Sequence, residues 1–196
     1  MLQRALGSAA ILFVSLSSGC GPVVDALFGE PTADIEHPKT FDQAGLAFSY
    51  PGNWRLEVEE ETIEGIETAM ISVESPSTAI VTLMQFRPGV ELGPGYAEEF
   101  MSEIQAEFDS SLGGVMKAKG KGTIDVQRNL LGHEAAGKQR RVDVSVLGEK
   151  VPHTQQVLVL DLEDRSLAAC SQAASEDLPK AQPGFDLVLD SLKTSP

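Results

Sequence analysis

Cysteine is nearly absent: the 196-residue chain holds two, Cys20 and Cys170. That excludes a disulfide framework and any zinc site built on paired cysteines. Positive charge is also scarce, with 15 Lys and Arg against 29 Asp and Glu and a formal net charge of −14. So acidic a chain is ill suited to nucleic acid, and its overall balance argues against adhesion to anionic lipid through surface charge. No apolar run reaches the ~20 residues that a membrane-spanning helix requires. Aromatic residues make up 6% of the chain with a single tryptophan, so the core must come from Val, Ile, Leu, Met and Ala. There is no internal repeat and no low-complexity tract.

What is present begins with Ile11-Leu-Phe-Val-Ser-Leu-Ser-Ser-Gly-Cys20, preceded by Arg4 and by no acidic residue. A charged start, a short apolar centre and a small-residue end have the layout of a signal peptide. Leu16-Ser17-Ser18-Gly19-Cys20 resembles the lipobox of bacterial lipoproteins, with Ser17 standing where that family prefers leucine. The resemblance implies signal cleavage between Gly19 and Cys20, a diacylglyceryl group on the Cys20 thiol, and usually a further acyl chain, commonly palmitate, on the new amino group. Two or three acyl chains hold a protein to a membrane stably. The membrane is thus one expected partner, through lipid at Cys20. In Gram-negative lipoproteins an Asp after the cysteine commonly retains the protein at the inner membrane. Gly21 occupies that place here, which favours the outer membrane.

Three prolines between Gly21 and Thr40 read as a tether. The expected organisation is a signal peptide over 1–19, a lipidated tether over 20–40 and one folded domain over 41–196. Within that domain a period of two dominates. Leu46, Phe48 and Tyr50 alternate with polar or small residues, Pro51-Gly-Asn53 turns, and Trp54, Leu56 and Val58 alternate again, predicting a hairpin. A second hairpin is predicted over 66–86, and its last strand is apolar on both faces, as a central strand must be. Tyr96, Phe100, Ile104, Phe108 and Leu112 then recur every four residues, predicting a helix that stops at Gly113-Gly114. Strands are predicted over 123–131, 140–147, 155–162 and 166–173, with Cys170 buried in the last, followed after Pro183-Gly184 by a helix carrying Phe185, Val188, Leu189 and Leu192. Short connections require antiparallel pairing throughout. The fold class is α+β, a curved antiparallel β-sheet flanked by helices.

This order, with Phe48, Tyr50, Pro51 and Trp54 as an F-x-Y-P-x-x-W pattern and the closing Phe185-Asp-Leu-Val-Leu-Asp-Ser191, resembles the PsbP-like family, including DcrB-type envelope proteins. The resemblance implies an α/β/α sandwich over roughly Phe41 to Thr194. Members act as accessory subunits and binding modules without shared catalytic residues, so it implies a non-enzymatic envelope protein with a protein partner. A carrier of a small apolar ligand or lipid is the alternative, since a sheet under a long helix can enclose a cavity.

The residues offer little chemistry. His37, His133 and His153 form no ligand pair and read as exposed loop residues. Gly120-Lys-Gly-Thr123 fails the spacing of a phosphate loop and reads as a helix-to-strand connection. Six glutamates from Glu57 to Glu67 crowd one hairpin without the spacing of a calcium loop, which suits a solvated face. Against this acidic background Lys117, Lys119, Lys121, Arg128, Lys138, Arg140 and Arg141 concentrate positive charge. If they share a face, they form a surface for an acidic partner or for phosphate headgroups; scattered along an edge, they would discourage strand pairing. No cofactor and no metal is expected.

Overall fold

The computed structural model describes residues 29–88, 90–93, 95–111, 116–146 and 149–195. The leader, Gly19 and Cys20 lie outside them.

Ten strands and two helices follow one another as β1 Lys39–Gln43, β2 Leu46–Tyr50, β3 Arg55–Ile63, β4 Ile66–Glu74, β5 Ile80–Arg87, α1 Tyr96–Ser111, β6 Met116–Leu130, β7 His133–Val146, β8 Glu149–Asp161, β9 Ser166–Ala174, α2 Leu178–Asp190 and β10 Lys193–Thr194. Seven strands form one sheet in the order β3-β4-β5-β9-β8-β7-β6, and β1, β2 and β10 form a small second sheet. Every pairing is antiparallel. Three hairpins turn on two residues with positive φ, Ala44-Gly45, Glu64-Gly65 and Leu131-Gly132. That geometry matches the right-handed twist of the flanking strands, and glycine adopts it without strain.

Helix α1 covers one face of the large sheet, where Phe100, Met101 and Ile104 pack with Met84, Phe86, Val157, Ala168 and Cys170. Helix α2 and the small sheet cover the other, with Trp54, Phe185, Leu46, Val188 and Leu189 against Leu83, Leu158 and Ala169. Strand β5 therefore meets core on both faces, Val81 and Leu83 pointing one way and Met84 and Phe86 the other. The architecture is an α+β sandwich of helix, sheet, and helix with a small sheet.

Several features differ from the sequence reading. Helix α2 begins at Leu178, so Pro183 and Gly184 lie inside it and not before it. Strands β2 and β3 do not form a hairpin: after Pro51-Gly-Asn53 the chain leaves the small sheet and enters the large one. The hairpin partner of β2 is β1, which begins at Lys39, and Phe41 pairs with Phe48. The folded body also reaches back beyond Phe41. Ala33 is buried in the core, its N–H is donated to the Lys180 carbonyl, and the Glu30 carboxylate accepts from the Thr78 and Ala79 amides at 3.0 and 3.3 Å. Alternation was the signal that hid these links, because a polar segment anchored by a few hydrogen bonds has no period.

Candidate functional site

Strands β6, β7 and β8 are longer than predicted and extend together past their neighbours. Gly120-Lys-Gly-Thr123 lies inside β6 as a bulge, with Gly122 at φ +48°. Before the bulge Lys119 opposes Asp143 and Lys121 opposes Arg141; after it Thr123 opposes Arg140. An inserted residue swaps the faces on which alternate side chains emerge. Lys119 and Lys121 thereby come to the face of Arg141 and Asp143, and Lys150, opposite Ser145 on β8, joins them. All four cations are exposed. Lys121 forms an ion pair with Asp143, and the lysine amines of Lys121, Lys150 and Lys119 together hold the Asp143 carboxyl below its ordinary range. The ladder places Lys117 opposite Ser145.

The other basic residues do not belong to this strip. Arg140 turns inward beneath α1, its Nε donating to Gln155 Oε1 at 2.8 Å and its Nη2 to the Met101 carbonyl. Burial lowers its pKa. Lys138, also on the α1 face, pairs with Glu98 of the helix at 3.0 Å and with Asp125 at 2.9 Å. Arg128 sits under α2 and bonds Asp186 at 2.8 Å and Asp190 at 2.6 Å. So of the suggested surface residues Lys119, Lys121 and Arg141 come together and Arg140 does not. Lys150 escaped the sequence reading, although the parity of the β7–β8 pairing would have found it.

Interior polar groups serve the architecture. Gln155 passes the bond from Arg140 on to Gln172 at 3.0 Å. Gln85 Nε2 donates to the Ala44 carbonyl at 2.6 Å, and Arg165 donates to the Gly45 carbonyl at 2.8 Å, which fastens the small sheet to the large one. Cys170 is buried in β9, and desolvation pushes its thiol up to about 12, where it stays protonated and unreactive. His37 and His133 are exposed, but His153 is buried in β8 with its ring nitrogen on the Val151 carbonyl at 3.0 Å, contrary to the loop reading. Burial lowers its pKa.

Two grooves stand out. One of about 490 Å³ runs beside the glutamates of β3 and β4, lined by Glu60, Glu61, Glu67 and Arg87. The other, about 470 Å³, lies at the start of α1 between Glu91, Asp125, Lys138 and Asp161. The lining of the first is mostly polar, which suits water better than an apolar ligand, whereas the second adds Ala97, Ala136 and Val159 to its charged rim. Among the described residues no group of three His, Cys, Asp or Glu is placed to hold a metal ion, and no helix is long and apolar enough to cross a membrane.

No protein-family model matches the chain, and no curated protein sequence does. Solved structures do. The solution structure of cyanobacterial PsbP from Synechocystis sp. PCC 6803 superposes with a TM-score of 0.50 at 12% identity, covering 82% of this chain and 94% of that one. A crystal structure from Bacteroides thetaiotaomicron gives a TM-score of 0.44 at 13% identity, covering 81% of this chain and 48% of that one. LpqN, involved in cell envelope biogenesis of Mycobacterium tuberculosis, gives 0.39 at 13% identity, covering 85% and 99%. At such identities likeness speaks for fold alone. The chain therefore has the PsbP-like fold.

Proposed function

We propose that this chain is a lipid-anchored, non-enzymatic module of a bacterial cell envelope that binds or supports another protein. One observation carries the reading: the interior polar side chains that chemistry would need are engaged in building the fold. Arg140, Gln155 and Gln172 join α1 to the sheet, Gln85 and Arg165 lock the small sheet, and Cys170 is held as a neutral thiol. What remains exposed is charge arranged on surfaces, the material of recognition. The Ser17-Ser18-Gly19-Cys20 leader supports the anchor, and the outer membrane is the favoured leaf if the host is Gram-negative. The charged lining of the groove beside β3 and β4 weighs against the apolar-carrier alternative there.

The test is fractionation of cells expressing the chain and its Cys20→Ala variant, followed by crosslinking in the intact envelope. The wild type should sediment with membranes, resist salt extraction and crosslink to a reproducible protein, whereas the variant should lose the membrane fraction. Retention of the variant in the salt-washed membrane would refute the anchor; crosslinks that differ at random between preparations would refute the partner.

A further inference from the structure

The basic strip and the first described residues, Gly29 and Glu30, lie at one end of the large sheet. Glu30 binds the turn between β4 and β5. Across the sheet from Ile80, where that turn enters β5, the ladder runs through Gln172, Gln155 and Arg140 to Thr123. Lys121, Lys119, Arg141 and Lys150 all lie beyond that row, on the same side of it as the turn. Lys150 is five positions past Gln155 on β8, about 17 Å at ~3.4 Å per residue. The strip therefore projects from the end of the molecule at which Gly29 enters it. Gly29 follows Cys20 by nine positions, with eight residues between them. Fully extended that span reaches about 30 Å, so a lipid at Cys20 keeps this end near the bilayer.

Charge then decides what the strip meets. Among the described side chains four cations stand there, with Asp143, already paired with Lys121, on their face, Glu176 in the turn before α2, and Asp177 beside it held by Lys180; in sequence Glu149 precedes Lys150 at the start of β8. The acidic surplus lies elsewhere, much of it on the β3–β4 hairpin, whose strands form the opposite edge of the sheet. At physiological salt, charges further than about 8 Å from the surface are largely screened. Net charge is thus a poor guide to adhesion, and the local strip governs it, against the expectation from overall composition. Lysine and arginine held at an anionic leaflet by a separate anchor add attraction for each residue within that distance.

We propose that Lys119, Lys121, Arg141 and Lys150 lie against the anionic phosphate headgroups of the membrane to which the chain is tethered, setting which end of the domain faces the bilayer. The inference rests on the lipid-anchor reading, and its test separates the two. The full chain, produced with its leader and purified in detergent, is reconstituted on vesicles of phosphatidylcholine alone or with phosphatidylglycerol. Flotation with the neutral vesicles reports the anchor. Amine-reactive labelling, read by mass spectrometry, reports the strip, with exposed Lys193 of β10 as internal reference.

On phosphatidylglycerol vesicles Lys119, Lys121 and Lys150 should label at least threefold more slowly than on neutral ones, while Lys193 is unchanged and high salt abolishes the difference. A K119E/K121E/K150E variant should still float, and its Lys193 should label alike on both lipids. Equal labelling of the three lysines on both vesicles would overturn the proposal. Slowing that appears only when solubilised envelope protein is added would overturn it in favour of an acidic protein face. A chain that floats only with anionic vesicles, its strip protected, would remove the anchor and retain the strip.

Discussion

At the scale of single residues the fold is held by close approaches that leave no room for change. Gly184 of α2 lies against the Trp54 ring, so a Cβ there would come within 2.7 Å of the indole. Trp54 in turn meets Phe185 edge to face at 5.7 Å, both fully buried. Gly184→Ala should cost about 1–3 kcal/mol of overpacking, read as a lower urea midpoint with unchanged slope. Gly65→Ala would meet nothing within 4 Å, so only its positive φ opposes it and the loss should be smaller. His153 makes a prediction of opposite character. Burial holds its imidazole below the ordinary 6.5, so the unfolded chain takes up the proton first as pH falls. Stability from keeping it neutral is fully present above 6.5 and is lost as pH drops below that value. His153→Gln should flatten this dependence, measured as urea midpoints at about pH 7.5 and about pH 5; equal slopes with pH in the two proteins would count against a buried neutral His153. The sequence showed Trp54 and Cys170 as core residues because Trp54 opens the alternation that continues through Leu56 and Val58, just before β3, and Cys170 lies among the small residues of β9. It concealed His153 because Pro152 before it suggested a loop. Pro152 is tolerated in β8 because the regular ladder to β9 ends at His153 and Ala174, and just beyond it only the Pro152 carbonyl is used, accepting from the Ser175 amide at 2.7 Å.

Among elements, the question is what keeps two helices on opposite faces. Helix α1 docks by an apolar face and by the Arg140 bond to the Met101 carbonyl, whereas α2 adds Arg128 beneath it and a serine lock at its end. Ser191 Oγ donates to the Leu187 carbonyl and accepts the Ser49 amide at 2.8 Å, joining helix to small sheet. Arg128→Ala should destabilise by about 1 kcal/mol, the exposure of both aspartates limiting the pair, and the loss should shrink in high salt. Ser191→Ala strands the Ser49 amide, costing about 1–3 kcal/mol that salt does not alter. Urea unfolding at low and high salt tells the two apart. Both helices, the central strand β5 and the antiparallel run were legible, since each carries a sustained apolar period. The exchange of the chain between sheets after Tyr50 was not, because a turn of Pro-Gly-Asn looks the same whether the next strand returns to its partner or leaves it. Nor was the division of the basic cluster: one bulge at Gly122 decides which lysines share a face with Arg141, and a bulge leaves no mark on composition.

For the whole molecule, charge and the proposed tether combine into one arrangement: an acidic body, a basic end and a cysteine nine positions before Gly29. Composition alone pointed away from anionic surfaces, because a net charge sums over edges too far apart to act together. The headgroup contact proposed above concerns one end of the sheet alone and leaves the remainder acidic. The attachment itself is argued entirely from the Leu16 to Cys20 sequence and from Gly21 after it. The most direct measurement is therefore the intact mass of the protein purified from the membranes of an expressing bacterium. The account predicts a chain beginning at Cys20 and heavier by a diacylglyceryl group, with or without one further acyl chain. A product that starts at Met1, or at any residue before the thiol, with no added lipid mass would contradict it.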